Sequence, residues 1–245
     1  TKDAWFLLTT LVATALGTSV GLFLSDTLGD SPRLQPLVEQ WPSVLLLALP
    51  IAAGTMLVRM VHSAETAALF AVLVSLVTGF QAHGDLGFAI YALVGSLTAA
   101  VGAARVTQRG TLLRAGLRVG LANSVVAVAL LLLGNHFSPL VGILAVSLAL
   151  LSGALCGVLV SGLAPLVESV FSYTTAIKLL ELANREQSLL RDLELRAPGT
   201  YHHSMMVGHL AEMAAEEIGA NALLAKVAGY YHDIGKMRRP QFFVE

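Results

Sequence analysis

The stretch LVGILAVSLALLSGALCGVLVSGL, residues 140–163, decides the fold class of this chain. It runs for 24 residues without a single Asp, Glu, Lys or Arg. A helix needs about 20 predominantly apolar residues to cross the hydrocarbon core of a bilayer. The stretch therefore predicts a membrane-spanning helix.

Five more stretches share this length and character. The chain as a whole is 56% hydrophobic and 13% charged, against about 45–50% and about 25% in soluble domains. We therefore predict an all-α fold in which residues 1–171 form a polytopic transmembrane bundle of six spans. In chain order the spans are residues 4–24, 41–60, 65–80, 86–106, 112–133 and 140–163.

The placement of basic residues predicts the orientation of the bundle. Cytoplasmic loops of membrane proteins carry an excess of Lys and Arg. Here the basic residues cluster after span four and after span six, whereas the connections around His83 and His136 hold none. Strict alternation then puts both ends of the chain in the cytoplasm. The basic residues of the two clusters are Arg105, Arg109, Arg114 and Arg118, then Lys178, Arg185, Arg191 and Arg196.

Charge, cysteine and glycine usage narrow the range of partners. The net charge of −1 gives no basic field for polymeric nucleic acid, and the single Cys156 excludes an internal disulfide. The glycine pairs Gly17/Gly21, Gly116/Gly120 and Gly153/Gly157 have the spacing of close helix contacts, which we expect within the bundle. The sequence does not decide whether the protein forms a homo-oligomer.

The two ends of the chain suggest that it is a piece of something larger. Neither Thr1 nor Glu245 carries a start or terminator signal, so we expect a fragment of a longer protein.

Residues 172–198 are predicted to be a cytoplasmic amphipathic linker. A Thr N-cap precedes one short helix, and Leu189, Leu190 and Leu193 form an apolar stripe on a second helix. Such a linker is either a tether or a coupler that carries a signal out of the bundle. The sequence alone leaves both interpretations open.

The last stretch, residues 199–245, holds the candidate site. Thr200 is the predicted N-cap of a helix that reaches about Ile218, and Asn221 is the predicted N-cap of a helix that reaches about Asp233. The short Gly219–Asn221 connection makes the two helices antiparallel. His203, near the start of the first helix, would then face His232 and Asp233 near the end of the second.

These residue types suit a metal-dependent hydrolase. Imidazole nitrogens and carboxylate oxygens bind iron, manganese and similar divalent ions. Two such ions about 3.5–4 Å apart can generate hydroxide and stabilise both oxygens of a displacement at phosphorus. Lys236 would offer a point charge to a phosphate oxygen, and Gly235 would let the chain turn close to the metals.

Three motifs in this stretch resemble one known family. They are Pro198-Gly-Thr-Tyr-His-His-Ser, Leu210-Ala-Glu, and Tyr230-Tyr-His-Asp-Ile-Gly-Lys. Together they resemble the HD domain of PgpH-type membrane phosphodiesterases, the bacterial seven-transmembrane receptors with an intracellular HD hydrolase. The apolar bundle and the Leu-rich linker are similar to the same family.

The resemblance implies a function, a site and a location. It implies hydrolysis of cyclic di-AMP to pApA by a di-iron or di-manganese centre in the bacterial cytoplasmic membrane. By motif position, His203, His232 and Asp233 would bind the metals, Asp233 would bridge them, and Lys236 would contact phosphate. Family members also have an extracellular domain and a further span before the bundle, and downstream His and Asp residues that complete the metal shell. Residues 199–245 would thus be the first part of an HD domain.

Two other functions stay open at this point. A non-catalytic receptor could bind nucleotide through a degenerate HD domain, and it would lack the downstream ligands. A transporter with an incidental His-Asp pair is the other possibility. That reading leaves Lys236 and the 29-residue interval between His203 and His232 unexplained.

Overall fold

The computed structural model describes residues 2–29, 31, 35, 41, 43–102, 109–135 and 138–238. Within these ranges every regular element is helical, in agreement with the all-α prediction. The chain divides into two compact units, Thr1–Tyr173 and Thr174–Glu245. Arg105 and His136, on which part of the orientation argument depends, lie outside the described residues.

The first unit contains the apolar helices. Five apolar segments among the described residues are long enough to cross a membrane. The predicted fourth span is a shorter helix of 17 residues that ends at Gly102, and residues 103–108 lie outside the description. The helices are α1 (Lys2–Gly29), α2 (Ala52–Val61), α3 (Ala64–Gln81), α4 (Leu86–Gly102), α5 (Arg109–Leu133) and α6 (Pro139–Phe171).

The predicted span over residues 41–60 corresponds to a candidate membrane span at Val44–Val61, but this segment is not one continuous α-helix. A 3-10 turn at Val44–Ala48 comes first, Leu49 is extended, and α2 starts only at Ala52. Pro50 lies at the break, and proline has no N–H with which to continue a helix. The carbonyl of Leu47 accepts a hydrogen bond from the Tyr91 hydroxyl at 2.7 Å, which satisfies a carbonyl near the break.

Helix α6 is longer than the predicted sixth span. It continues through Pro165 to Phe171 and ends at Ser172, whose φ of 51° is left-handed. Pro165 therefore lies inside this helix and does not end it. The hydroxyl of Ser152 on α6 donates to the carbonyl of Leu49 at 2.7 Å, a second bond to the broken segment.

The two glycine pairs of α5 and α6 lie against each other, as expected for contacts within the bundle. A Cβ added at Gly116 would collide with the carbonyl oxygen of Gly153, and one at Gly153 would lie 2.6 Å from Cα of Gly120. Only glycine allows two helix backbones to come this close. Gly17 differs, because a Cβ there would meet no atom within 4 Å.

The second unit contains the remaining helices, including those of the segment predicted as a linker. Leu190 and Leu193 of that segment are fully buried, and Leu190 packs in one cluster with Met205 and Tyr230. The segment is therefore part of the second unit's core rather than a free tether. The helices are α7 (Ala176–Ala183), α8 (Ser188–Arg196), α9 (Pro198–Glu217) and α10 (Ala222–Tyr231), followed by a 3-10 turn at Ile234–Arg238.

Candidate metal centre

Helices α9 and α10 form the antiparallel pair that carries the candidate ligands, but α9 starts differently from the prediction. It begins at Pro198, in the first helical turn, where the missing N–H costs nothing. Thr200 is thus inside the helix and buried, not its N-cap. The connection follows the prediction: Gly219 has a φ of 67°, and the Asn221 side chain accepts from the backbone N–H of Leu224 at 3.1 Å.

A glycine contact sets the distance between the two helices. A Cβ at Gly229 on α10 would lie 2.5 Å from Cα of Gly208 on α9. A Cβ at Gly208 would lie 2.5 Å from Cδ1 of Tyr230 and 2.9 Å from the carbonyl oxygen of Lys226. Because neither backbone can give way, both positions require glycine. The backbones of α9 and α10 therefore touch in the middle of the pair.

This close approach brings His203, His232 and Asp233 together. Each of the three offers a ligand atom, and all of these atoms lie within 4.8 Å of one another. The two imidazole rings are 5.4 Å apart between centroids and tilted by 62°. Both histidines are exposed and Asp233 is half-buried, so an ion from solvent can reach the cluster. The donors, two nitrogens and a carboxylate, suit a divalent transition metal.

A backbone contact orients the imidazole of His232. Its Nδ1 lies 2.7 Å from the carbonyl oxygen of Gly229, one turn earlier. In the neutral ring, a proton on Nδ1 makes this a hydrogen bond and leaves Nε2 without a proton, able to bind a metal. Nε2 faces Oδ2 of Asp233 at 3.5 Å.

Asp233 is held in its charged form. The ammonium of Lys236 lies 2.6 Å from Oδ2 of Asp233, and this hydrogen bond is the main reason that the pKa of the carboxyl falls below its usual value of 3.8. His232, Lys236 and His203 lower the pKa further by their charge, whereas partial burial opposes the shift. A metal ligand must be deprotonated, and this carboxylate is deprotonated well below neutral pH.

Gly235 follows the candidate ligands directly. The residue lies in the 3-10 turn Ile234–Arg238, outside the left-handed region, and a Cβ there would meet no protein atom within 4 Å. That Gly235 lets the chain turn close to bound metals stays a prediction.

Sequence reasoning missed an ion pair that connects the helices. The ammonium of Lys226 on α10 lies 2.8 Å from a carboxylate oxygen of Glu212 on α9, and Nδ1 of His209 lies 3.6 Å from the same oxygen. His209 also packs edge-on against Tyr230, at 6.2 Å between ring centroids. His209 therefore packs between α9 and α10 and is not a member of the cluster of His203, His232 and Asp233.

Fold and site together define an integral membrane protein that carries the first helices of an HD-type hydrolase domain. Residues 3–175 match the family described as 7TM receptor with intracellular HD hydrolase, and residues 200–245 match the HD domain. The chain therefore belongs to the family of 7TM receptors with an intracellular HD hydrolase.

Several curated proteins are similar over most of the chain. The cyclic-di-AMP phosphodiesterase PgpH of Bacillus subtilis is 37% identical over 206 residues, covering 80% of this chain and 29% of the relative. Its Listeria monocytogenes counterpart of the same name is 39% identical over 200 residues, covering 80% and 28%. An uncharacterised protein of Synechocystis is 30% identical over 216 residues, covering 86% and 26%.

The chain thus spans less than a third of the length of these relatives. No solved structure matches it.

Proposed function

We propose that this chain is part of a bacterial membrane-bound phosphodiesterase that hydrolyses cyclic di-AMP to pApA at its HD site. The observation that carries the proposal is the cluster of His203, His232 and Asp233, whose ligand atoms lie within 4.8 Å of one another. The two PgpH relatives, both named as cyclic-di-AMP phosphodiesterases, support the choice of substrate.

Each residue of the cluster has a distinct role in this proposal. His203 and His232 would each offer one imidazole nitrogen to a divalent ion, and the Gly229 carbonyl would keep His232 in the tautomer that binds. Asp233 would offer its carboxylate. Two iron or manganese ions, when bound, would supply a hydroxide nucleophile and stabilise the charge that develops on the phosphate oxygens.

Lys236 would contact a phosphate of the substrate and would not bind the metals. Its side chain is 30% exposed and lies one turn beyond Asp233, so its ammonium can offer protons to a phosphate oxygen beside the cluster. The reaction adds one water across one phosphodiester bond of the ring: the phosphorus–oxygen bond to one ribose breaks, and that ribose oxygen takes a proton. The product is the linear dinucleotide.

The membrane unit would anchor this activity in the cytoplasmic membrane. In this proposal both ends of the chain face the cytoplasm, where the basic residues Lys178, Arg185, Arg191 and Arg196 follow the last span. The second unit would then meet a cytoplasmic nucleotide. The bundle would act as an anchor or a sensor.

The test follows cyclic di-AMP hydrolysis by the full-length protein in detergent with Mn²⁺, with cyclic di-GMP as comparator. Replacing Asp233 with Ala should reduce turnover by more than about 100-fold. Removing a group that only orients a metal ligand already reduces metal affinity or activity by about 10–100-fold, and Asp233 would be a ligand itself. Asp192→Ala is the matched control, since Asp192 is an exposed carboxylate on α8. The metal content of each variant is measured in parallel. A folded, metal-loaded protein without turnover would contradict the proposal and favour a receptor that only binds nucleotide.

A further inference from the structure

The membrane unit contains an apolar crevice that the proposed hydrolysis does not use. It lies between α1, the broken segment around Pro50, and the second half of α6, and it has a volume of about 410 Å³. Pockets for small organic ligands range over about 300–1,000 Å³. The crevice is therefore large enough for a specific molecule and lies in a unit built from membrane-spanning helices.

The lining of the crevice favours an apolar ligand. Its side chains are apolar except for four threonines on α1, and each threonine hydroxyl donates to a carbonyl oxygen of its own helix at 2.8–3.0 Å. A hydroxyl has one proton, so these threonines have none left to donate to a ligand. Among the described residues, no charged side chain lines the crevice. The threonines are Thr9, Thr10, Thr14 and Thr18.

One end of the crevice closes on aromatic rings with a cation above them. Phe6 and Phe171 line this end, and both pack against Tyr173, with centroids 5.4 Å and 6.2 Å away. The ammonium of Lys2 lies 4.4 Å from the centroid of the Tyr173 ring and 3.3 Å from the carbonyl oxygen of Ser172. The carboxylate of Asp3 lies at the same end and accepts a hydrogen bond from the Tyr173 hydroxyl at 2.6 Å. An apolar channel thus leads to an exposed ammonium, with a carboxylate held by Tyr173 beside it, at the end of a membrane helix.

The dimensions favour a thin chain over a helix. An α-helix with side chains is about 10 Å wide and rises 1.5 Å per residue, so 410 Å³ would hold only about four of its residues. Gly17 lines the crevice and leaves open space where a Cβ would be. A flexible hydrocarbon chain therefore matches this volume better than a helix of a second copy does.

We propose that this crevice binds one acyl chain of an anionic phospholipid from the bilayer, with the head group beside Lys2. The apolar lining would hold the chain between α1 and α6, and the Lys2 ammonium would attract the phosphate. Lipid bound in this way would fill the space between α1, α2 and α6. This binding is independent of metal and nucleotide.

The experiment uses the full-length protein in nanodiscs of phosphatidylethanolamine and phosphatidylglycerol. A small fraction of the phosphatidylglycerol carries a photoreactive diazirine on its acyl chain. After illumination we expect the label on peptides that contain residues 9–18 or 159–167, with one lipid per chain. Native mass spectrometry of gently delipidated protein should also retain one phosphatidylglycerol.

Two glycine variants make the experiment selective. Gly17→Leu fills the crevice and should reduce the labelling of these peptides to the level of lipid-facing surfaces. Gly162→Leu is the matched control, because Gly162 also has open space around it on an exposed face of α6 but does not line the crevice. Lys2→Gln should remove the preference for phosphatidylglycerol over phosphatidylethanolamine.

Three outcomes would overturn the proposal. One is wild-type labelling spread evenly over the lipid-facing helices. Another is equal labelling of the crevice in the wild type and in a monodisperse, folded Gly17→Leu variant. The third is retention of a free fatty acid or no lipid at all in the mass spectrum of the wild type. The positions labelled in the wild type test the proposal without any variant. A variant that fails to fold therefore does not prevent the test.

Discussion

Both units contain a helix crossing that depends on glycine, and the two crossings have different surroundings. In the membrane unit, Gly116 and Gly153 bring the backbones of α5 and α6 together between apolar helix faces. In the second unit, Gly208 and Gly229 bring α9 and α10 together. Gly208 lies five residues after His203 and Gly229 three residues before His232.

The difference shows what close backbone contact contributes in each place. In a bilayer, apolar side chains gain little by leaving lipid, so close packing between small residues is a main source of helix association. In the second unit the apolar cluster of Leu190, Met205 and Tyr230 already holds the helices together. There the glycine contact mainly determines how far His203 stands from His232, and thus the geometry of the metal centre.

The largest effect is expected in the core that supports the second crossing. Leu190→Ala should lower the free energy of unfolding of the second unit by about 2–5 kcal/mol, as for other fully buried leucines. Hydrogen exchange of residues 198–231 in the full-length protein measures this loss. Leu189→Ala is the control, because Leu189 is 52% exposed on the same helix. Equal exchange in the two variants would mean that residues 188–196 are a tether after all, and that the glycine contact alone holds α9 and α10.

The next effect tests the crossing in the membrane unit. Gly153→Val should destabilise the bundle by about 1–3 kcal/mol or more, because its Cβ would collide with backbone atoms of α5 that cannot move aside. Thermal unfolding in detergent, followed by the fraction of monodisperse protein, measures the effect. Gly162→Val, where the new side chain meets open space, should unfold like the wild type. If Gly153→Val and Gly162→Val unfold alike, the crossing of α5 and α6 does not require glycine at residue 153.

The third effect tests whether the crossing in the second unit determines metal geometry. Gly229→Ala should move α10 away from α9, since its Cβ would lie 2.5 Å from Cα of Gly208. We expect a loss in Mn²⁺ affinity of about 10–100-fold, the range found when groups that orient metal ligands are removed. Isothermal titration of the full-length protein with Mn²⁺ measures it. Ala228→Ser, at an exposed position on the same helix, should bind Mn²⁺ as the wild type does. An unchanged Mn²⁺ affinity in Gly229→Ala would show that the metal site does not depend on the contact between Gly208 and Gly229.

The sequence revealed the first crossing and not the second for a physical reason. Gly116/Gly120 and Gly153/Gly157 repeat at four residues, which places both members of a pair on one helix face. Gly208 and Gly229 are single glycines on different helices, and only the fold shows that they meet. The candidate ligands were predictable because His203, His232 and Asp233 are chemically unusual and lie near opposite ends of two antiparallel helices.

The boundaries and the buried face of the linker were harder to predict. Thr200 reads as an N-cap, but Pro198 starts the helix two residues earlier because proline fits its first turn. Leu189, Leu190 and Leu193 form an amphipathic stripe that fits a tether as well as a packed helix. Only the contact of Leu190 with Met205 and Tyr230, which are distant in sequence, distinguishes the two. Likewise, apolar composition alone does not show the break at Pro50.

The smallest effect concerns the ion pair that also joins α9 and α10. Lys226→Met should cost only about 0–1 kcal/mol, because the Lys226 and Glu212 side chains are 22% and 26% exposed and water weakens their attraction. Hydrogen exchange of residues 198–231 and Mn²⁺ titration measure stability and affinity. Lys178→Met is the control, since Lys178 pairs with Glu181 within one helix and cannot affect the crossing. A loss of Mn²⁺ affinity as large as that of Gly229→Ala would show that the ion pair, and not the glycine contact, fixes the distance between His203 and His232.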